Sequence, residues 1–99
     1  MVRTSGESQV HKQAIEKIAR AYERSGFVVK ADHIKSFDYP GQYPMLKPDV
    51  VAEKKDLKVL IEVETQSSIG TKRDKRQRQE FGNWAKQSRK RDYRREIAG

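Results

Sequence analysis

The sequence contains no cysteine, and only three of its 99 residues are proline. Without thiols, a disulfide scaffold, a thiolate zinc site and a cysteine nucleophile are all excluded. Apolar runs are also short: the longest strongly apolar run is 59–61, whereas a bilayer-spanning helix needs roughly 20 residues. The N-terminal residues carry no apolar stretch of the signal-peptide kind. We therefore expect a soluble protein of the cytoplasm with no membrane partner.

The size and composition limit the fold to one small domain. Hydrophobic residues make up 34% of the chain and charged residues 36%. A chain of this length buries only about 60% of its surface on folding, so its core is small. That core suits a thin sheet with a helix or two, and no large ligand cavity is expected.

Positive charge is concentrated in the last third of the chain. The net charge is +8, but residues 1–70 carry 11 basic and 10 acidic residues, whereas residues 71–99 carry 11 basic and 4 acidic residues. So many like charges repel one another unless a partner neutralises them. A basic segment on a nearly neutral body is typical of a polyanion binder, and we favour nucleic acid over a merely solvated basic tail.

The pattern of apolar residues predicts the order helix, strand, strand, strand, helix, which is an α/β arrangement. Three- and four-residue spacings predict an amphipathic helix over 8–24 and a basic helix over 73–90, whose Phe81 and Trp84 are expected to pack on the sheet. β-Branched and aromatic runs bounded by turn residues predict the strands. The three strands are predicted at 27–34, 48–53 and 57–64, with a loop at 35–47 and a hairpin turn at 54–56. The tail, 91–99, is left unassigned.

Three acidic residues are predicted to meet at the end of the last strand. Side chains alternate between the faces of a strand, so Glu62 and Glu64 share one face about 6–7 Å apart at ~3.3 Å per residue. Antiparallel pairing of the two neighbouring strands would bring Asp49 opposite them. Carboxylates that close need a counter-charge, and a hard divalent cation, Mg²⁺ or Mn²⁺, takes such oxygen ligands. The plain alternative is the solvated face of an edge strand.

The combination of Pro48-Asp49 with Glu62-Val63-Glu64-Thr65, after the apolar run 59–61, resembles the PD-(D/E)XK nuclease superfamily. It looks most like the small archaeal Holliday-junction-resolvase and restriction-endonuclease-like branches, over roughly residues 8–88. The resemblance implies a restriction-endonuclease-like core with a mixed sheet flanked by helices, forming one domain over 1–99 with a basic helix and tail at 72–99. It also implies that Asp49, Glu62 and the carbonyl of Val63 bind the metal.

Two departures from the superfamily leave alternatives open. The position of the motif lysine holds Glu64, which could act as a base or a further ligand, or could mark a lost activity; Lys72 or Lys75 could instead reach in. The superfamily core usually continues into another strand after the second helix, and the tail looks too short to be a central strand. A dimer partner could complete the core, or the chain could be a shortened version. By analogy, Glu16 on the first helix could add an acidic group, but an exposed glutamate is the simpler interpretation.

These observations predict a metal-dependent endonuclease that hydrolyses DNA phosphodiester bonds, with branched or junction DNA as one candidate substrate. Asp49, Glu62 and Glu64 are the predicted catalytic residues. The start of the basic helix is expected to grip the nucleic acid through Lys72, Arg73, Lys75, Arg76, Arg78 and Gln79. One alternative is a nuclease fold that has lost catalysis and only binds nucleic acid; another is a structural protein with an exposed acidic pair. His11 and His33 are interpreted as ordinary polar residues.

Overall fold

The computed structural model describes residues 5–32, 34–41 and 47–98, and these residues form two helices and one mixed sheet. The elements are α1 (Ser5–Arg24), β1 (Val28–Ala31), β2 (Val50–Lys54), β3 (Leu57–Glu64), α2 (Lys72–Lys86) and β4 (Arg91–Ile97). The strand order is β1-β2-β3-β4. The first two pairs are antiparallel, while β3 and β4 are parallel. The predicted α/β fold class is confirmed; His33 and positions 42–46 of the predicted loop lie outside the described residues.

The C-terminal tail forms a strand, which the sequence did not predict. β4 pairs with β3 along its whole length, from Lys58 opposite Arg91 to Glu64 opposite Ile97. The tail was expected to be too short for a central strand; among the described strands it lies at the edge of the sheet, and it supplies the strand that follows the second helix. Among the described strands, β4 has a neighbour on one side only. It is largely half-buried or exposed, so it carries charged side chains instead of the apolar alternation that usually marks a strand.

The β2–β3 hairpin sets the register on which the site depends. Lys54 lies opposite Leu57, so the loop contains only Lys55 and Asp56, and Lys55 takes the left-handed conformation at φ 56°. Two-residue hairpin loops need such a positive φ, which asparagine or glycine usually supplies. With this register, Val50 lies opposite Ile61. Residue 49 is therefore level with residue 62.

The core is divided by the sheet into two apolar clusters. One face of the sheet packs on α1, with Ile15 and Ala19 of the helix against Val50, Ile61 and other aliphatic residues. The other face packs on α2 through Phe81 and Trp84, which confirms the prediction that these two rings contact the sheet. Because β3 alternates, its Val59, Ile61 and Val63 face α1, and the residues between them face α2. Glu62 and Glu64 are therefore held on the α2 side.

Candidate active site

A polar cavity opens at the C-terminal end of β3, between α1 and the start of α2. Its volume is about 710 Å³. Its described lining residues are His11, Lys12, Ile15, Asp32, Lys47, Asp49, Glu62, Glu64, Ser68, Thr71, Lys72, Arg73, Asp74 and Gln77. The expectation that so small a core leaves no large cavity is wrong, because this cavity lies at the edge of the sheet between the helix ends and is lined almost entirely by polar side chains.

Asp49 is fixed to the end of β3 by a backbone hydrogen bond. The amide of Val63 donates to its Oδ2 at 2.8 Å. His11 of α1 lies over the same point, with its Nε2 2.8 Å from the Val63 carbonyl oxygen and 3.4 Å from Asp49 Oδ2. With Nε2 protonated, His11 donates to that carbonyl. Three segments that are far apart in the chain therefore meet at Asp49.

Glu62 is almost completely buried, with only 3% of its surface exposed. Within the described part of the chain, its Oε1 has no hydrogen-bond partner. Burial, followed by the negative charges of Asp49 and Glu64, raises the pKa of Glu62 from 4.5 to about 10, against the opposing effects of Arg73 and a backbone hydrogen bond from Asp49. Without a cation beside it, this carboxyl group therefore holds its proton at neutral pH.

Glu64 is equally buried, and a neighbouring side chain donates a hydrogen bond to one of its oxygens. Ser68 donates from its hydroxyl to Glu64 Oε2 at 2.5 Å, and the same Ser68 oxygen accepts from the Thr65 amide at 2.9 Å. Burial raises the pKa of Glu64, and the charges of Asp74 and Asp49 add to that, while the Ser68 hydrogen bond and Arg95 oppose it. The turn after β3 thus holds the carboxylate that occupies the motif-lysine position.

The donor set of the cavity suits a hard divalent cation. Asp49, Glu62 and Glu64 all line it, and the buried Oε1 of Glu62 is a carboxylate oxygen that a cation would satisfy. Among the described residues, however, no three Asp, Glu or His side chains already stand close enough together to hold an ion. Mg²⁺ is usually held by one or two carboxylates and keeps several waters. Asp49 and Glu62 can supply these two carboxylates.

The basic residues of α2 divide into those at the cavity and those on the outer surface. Lys72 and Arg73 line the cavity. The helix turns its Asp74, Gln77, Phe81 and Trp84 face inward, so the remaining four predicted nucleic-acid contacts point outward. These four exposed residues are Lys75, Arg76, Arg78 and Gln79. Lys75 is not among the lining residues, whereas Lys12 of α1 and Lys47 are lysines at the cavity that the sequence did not single out.

Several site residues were missed because their partners are distant in the chain. His11 was interpreted as an ordinary surface residue, although it lies four residues before the buried Ile15 and so on the same helical stripe, which is a signal that could have identified it. Asp74 was missed because it stands in a run of basic residues. Glu16, by contrast, is exposed and pairs with Arg20 at 3.5 Å, as its simpler interpretation predicted.

Comparison with known proteins agrees with this architecture. The model of the restriction-endonuclease-like AHJR family, REase_AHJR-like, matches residues 3–92. No curated protein and no solved structure gives a significant match. The family name suggests nuclease activity, and a nuclease acts on nucleic acid. Within the described ranges, no helix has the length and apolar character needed to cross a membrane. The chain belongs to the restriction-endonuclease-like AHJR family.

Proposed function

We propose that the protein is a divalent-metal-dependent endonuclease that hydrolyses DNA phosphodiester bonds. The observation that carries this proposal is the buried Oε1 of Glu62, which has no partner within the described ranges and lies beside the charge of Asp49 in a cavity rimmed by lysine and arginine. A buried carboxyl oxygen without a partner is costly in a purely structural role. It is explained if the carboxylate serves a cation.

Asp49, Glu62 and the Val63 carbonyl are the proposed metal-binding groups, and Mg²⁺ or Mn²⁺ is the proposed ion. When bound, such an ion supplies Lewis-acid stabilisation of the phosphodiester and a lowered pKa for attacking water. The chain holds its own groups in position: the Val63 amide fixes Asp49, and His11 bridges Asp49 and the Val63 carbonyl.

Glu64 is proposed to position or deprotonate the attacking water. The Ser68 hydroxyl holds one of its oxygens, which fixes the carboxylate at the cavity wall. Burial raises the pKa of Glu64, and a base with a pKa nearer to neutrality accepts a proton more effectively at working pH. Lys72, which lines the cavity together with Lys12 and Lys47, is proposed to supply the positive charge that the motif lysine normally carries.

DNA is proposed to lie over the cavity and along the outer face of α2. Lys72 and Arg73 at the rim would contact the phosphate next to the scissile bond, and the exposed Lys75, Arg76 and Arg78 would hold the adjacent backbone. Branched or junction DNA is one proposed substrate class, and a homodimer in the cytoplasm is the proposed form for cutting two strands. Sedimentation of the protein with and without a four-way junction tests the dimer.

The test is cleavage of linear duplex, branched and single-stranded DNA with Mg²⁺, Mn²⁺ or EDTA. We expect turnover only with a divalent metal, and its loss in Asp49→Ala and Glu62→Ala while DNA binding persists. Glu16→Ala is the matched control, since Glu16 is an exposed acid on α1 away from the cavity. If no substrate is cut with either metal, the enzyme proposal fails.

A nuclease fold that binds nucleic acid without cutting is the second candidate. It is favoured by the glutamate at the motif-lysine position and by the lack of a complete three-residue metal site among the described residues. Titrating Mn²⁺ into the protein by calorimetry separates the two, because a lapsed site would bind DNA and ignore the metal. A structural protein with an exposed acidic pair is disfavoured, since Glu62 and Glu64 are each only 3% exposed.

A further inference from the structure

Tyr93 of β4 lies beside Glu62 on the same face of the sheet. Tyr93 is paired with Leu60 in the parallel register, so it stands diagonally from Glu62, two residues along the neighbouring strand. Neighbouring strands lie about 4.8 Å apart and rise ~3.3 Å per residue, so diagonal neighbours are roughly 8 Å apart, which a tyrosine and a glutamate can span. The ring of Phe81, with its centroid 5.7 Å from that of Tyr93, holds the tyrosine against the sheet.

Both side chains end in a buried atom that lacks a partner. Within the described residues, neither Tyr93 Oη nor Glu62 Oε1 makes a hydrogen bond, and both atoms are shielded from solvent. Buried phenols usually find a partner, and so do buried carboxylates. Two such atoms on neighbouring strands of one sheet face can satisfy each other.

The chemistry of the two groups is complementary. A phenol can donate a hydrogen bond, and a carboxyl group can accept one whether it is ionised or protonated. Burial, followed by the charge of Glu62, raises the pKa of Tyr93, so the hydroxyl keeps its proton and remains a donor. The other charges that act on Tyr93 are those of Arg95, Glu64 and Asp74, and of these Arg95 already donates to Asp74.

We propose that Tyr93 is a positioning residue for Glu62. Small rotations of the two side chains bring the hydroxyl of Tyr93 into a hydrogen bond with Oε1, and this bond holds the carboxylate in one orientation at the cavity. That this orientation serves metal binding is an inference that rests on the proposed function. The hydrogen bond itself does not, so the two can fail separately.

A double-mutant cycle on metal-free protein tests the hydrogen bond. The variants are Tyr93→Phe, Glu62→Met and their combination, and the measurement is denaturant unfolding in EDTA at neutral pH. We expect Tyr93→Phe to lower the folding equilibrium constant at least about threefold more in the Glu62 background than in the Met background, as is usual for contacting pairs. Additive effects would overturn the proposal.

Glu80 provides the matched control for this cycle. Its Oε2 is also buried without a partner among the described residues, and it lies on α2, on the same side of the sheet. The cycle of Tyr93→Phe with Glu80→Met should be additive. Coupling to Glu80 in place of Glu62 would show that the Tyr93 hydroxyl interacts with Glu80, and this result would also overturn the proposal.

Mn²⁺ binding to the intact protein tests whether Tyr93 orients Glu62 for metal binding. We expect calorimetry to show about tenfold weaker binding in Tyr93→Phe, the loss typical of removing a group that orients a ligand. Tyr22→Phe, on α1 against Phe27, is the control and should bind Mn²⁺ as the wild type does. Equal affinities would refute a positioning role. If the wild type binds no Mn²⁺, the proposed function fails. The double-mutant cycle then still tests the hydrogen bond between Tyr93 and Glu62.

Discussion

Arg95 of β4 donates two hydrogen bonds to Asp74 of α2, from Nε to Oδ1 at 3.2 Å and from Nη2 to Oδ2 at 2.7 Å. Asp74 is 1% exposed, and the amide of Gly70 also donates to it at 2.7 Å. Burial alone would raise the pKa of Asp74, but Arg95 and Gly70 outweigh that effect and lower it. This pair joins the last strand to the start of α2, and both of its charges act on the pKa of Glu64.

Asp74→Ala should therefore destabilise the fold strongly. The substitution leaves the Arg95 guanidinium partly buried and without its partner, and breaking such pairs costs about 3–5 kcal/mol. Denaturant unfolding measures the change in free energy. Asp56→Ala is the control. Asp56 lies in the exposed hairpin loop and pairs with Lys90, so its loss should lower the free energy of unfolding by less than about 1 kcal/mol. Equal losses in the two variants would contradict a structural role for the buried pair.

Glu64→Gln should separate catalysis from binding. The amide still fits the cavity and can accept the Ser68 hydrogen bond, but it cannot take up a proton, so we expect the cleavage rate to fall by about 10²-fold or more. DNA affinity measured in EDTA should change little. Unchanged cleavage by Glu64→Gln would show that this residue is not the base and would direct attention to Lys72.

The stability of the metal-free protein should fall as pH rises. The pKa of Glu62 is 4.5 in the absence of burial and about 10 in the folded protein, so the folded state holds its proton more tightly than the unfolded chain. The stabilisation is complete below about pH 4.5 and is lost as pH rises toward 10. The raised pKa of Glu64 acts in the same direction.

Glu62→Gln removes the titrating group and should flatten this dependence. Unfolding in EDTA at several values between about pH 5 and pH 9 measures it. Mn²⁺ should restore stability at the upper end, because the ion favours the ionised carboxylate. Parallel pH profiles for the wild type and Glu62→Gln would mean that the carboxyl group is not strongly perturbed.

DNA binding should depend on salt through the basic rim of the cavity. Each phosphate contact contributes about 0.9 to the slope of log K against log salt. Lys72→Ala combined with Arg73→Ala should therefore reduce the slope by about 2. Lys55→Ala, at the hairpin turn at the opposite end of the sheet, is the control and should leave it unchanged. Fluorescence anisotropy in EDTA across a salt series provides the measurement.

Helices and strands with an apolar face could be predicted from the sequence, because the spacing of apolar residues is a property of neighbouring positions. The strand at 57–64 has the bounds predicted from its alternation, and Phe81 and Trp84 contact the sheet as their helical spacing indicated. β4 could not be read in this way. It is an edge strand whose charged residues include Arg95, which is explained only by a partner on another element.

The sequence by itself determined the α/β order, the face of β3 that carries Glu62 and Glu64, and the family to which the chain belongs, because period, composition and motif spacing are properties of consecutive residues. Only the tertiary structure decided that His11 lies beside Asp49, that α2 turns Lys72 and Arg73 but not Gln79 to the cavity, and that Tyr93 stands diagonally from Glu62 on the neighbouring strand. Those contacts join segments that are distant in the chain, and their geometry depends on how helices and strands pack, which no local pattern encodes.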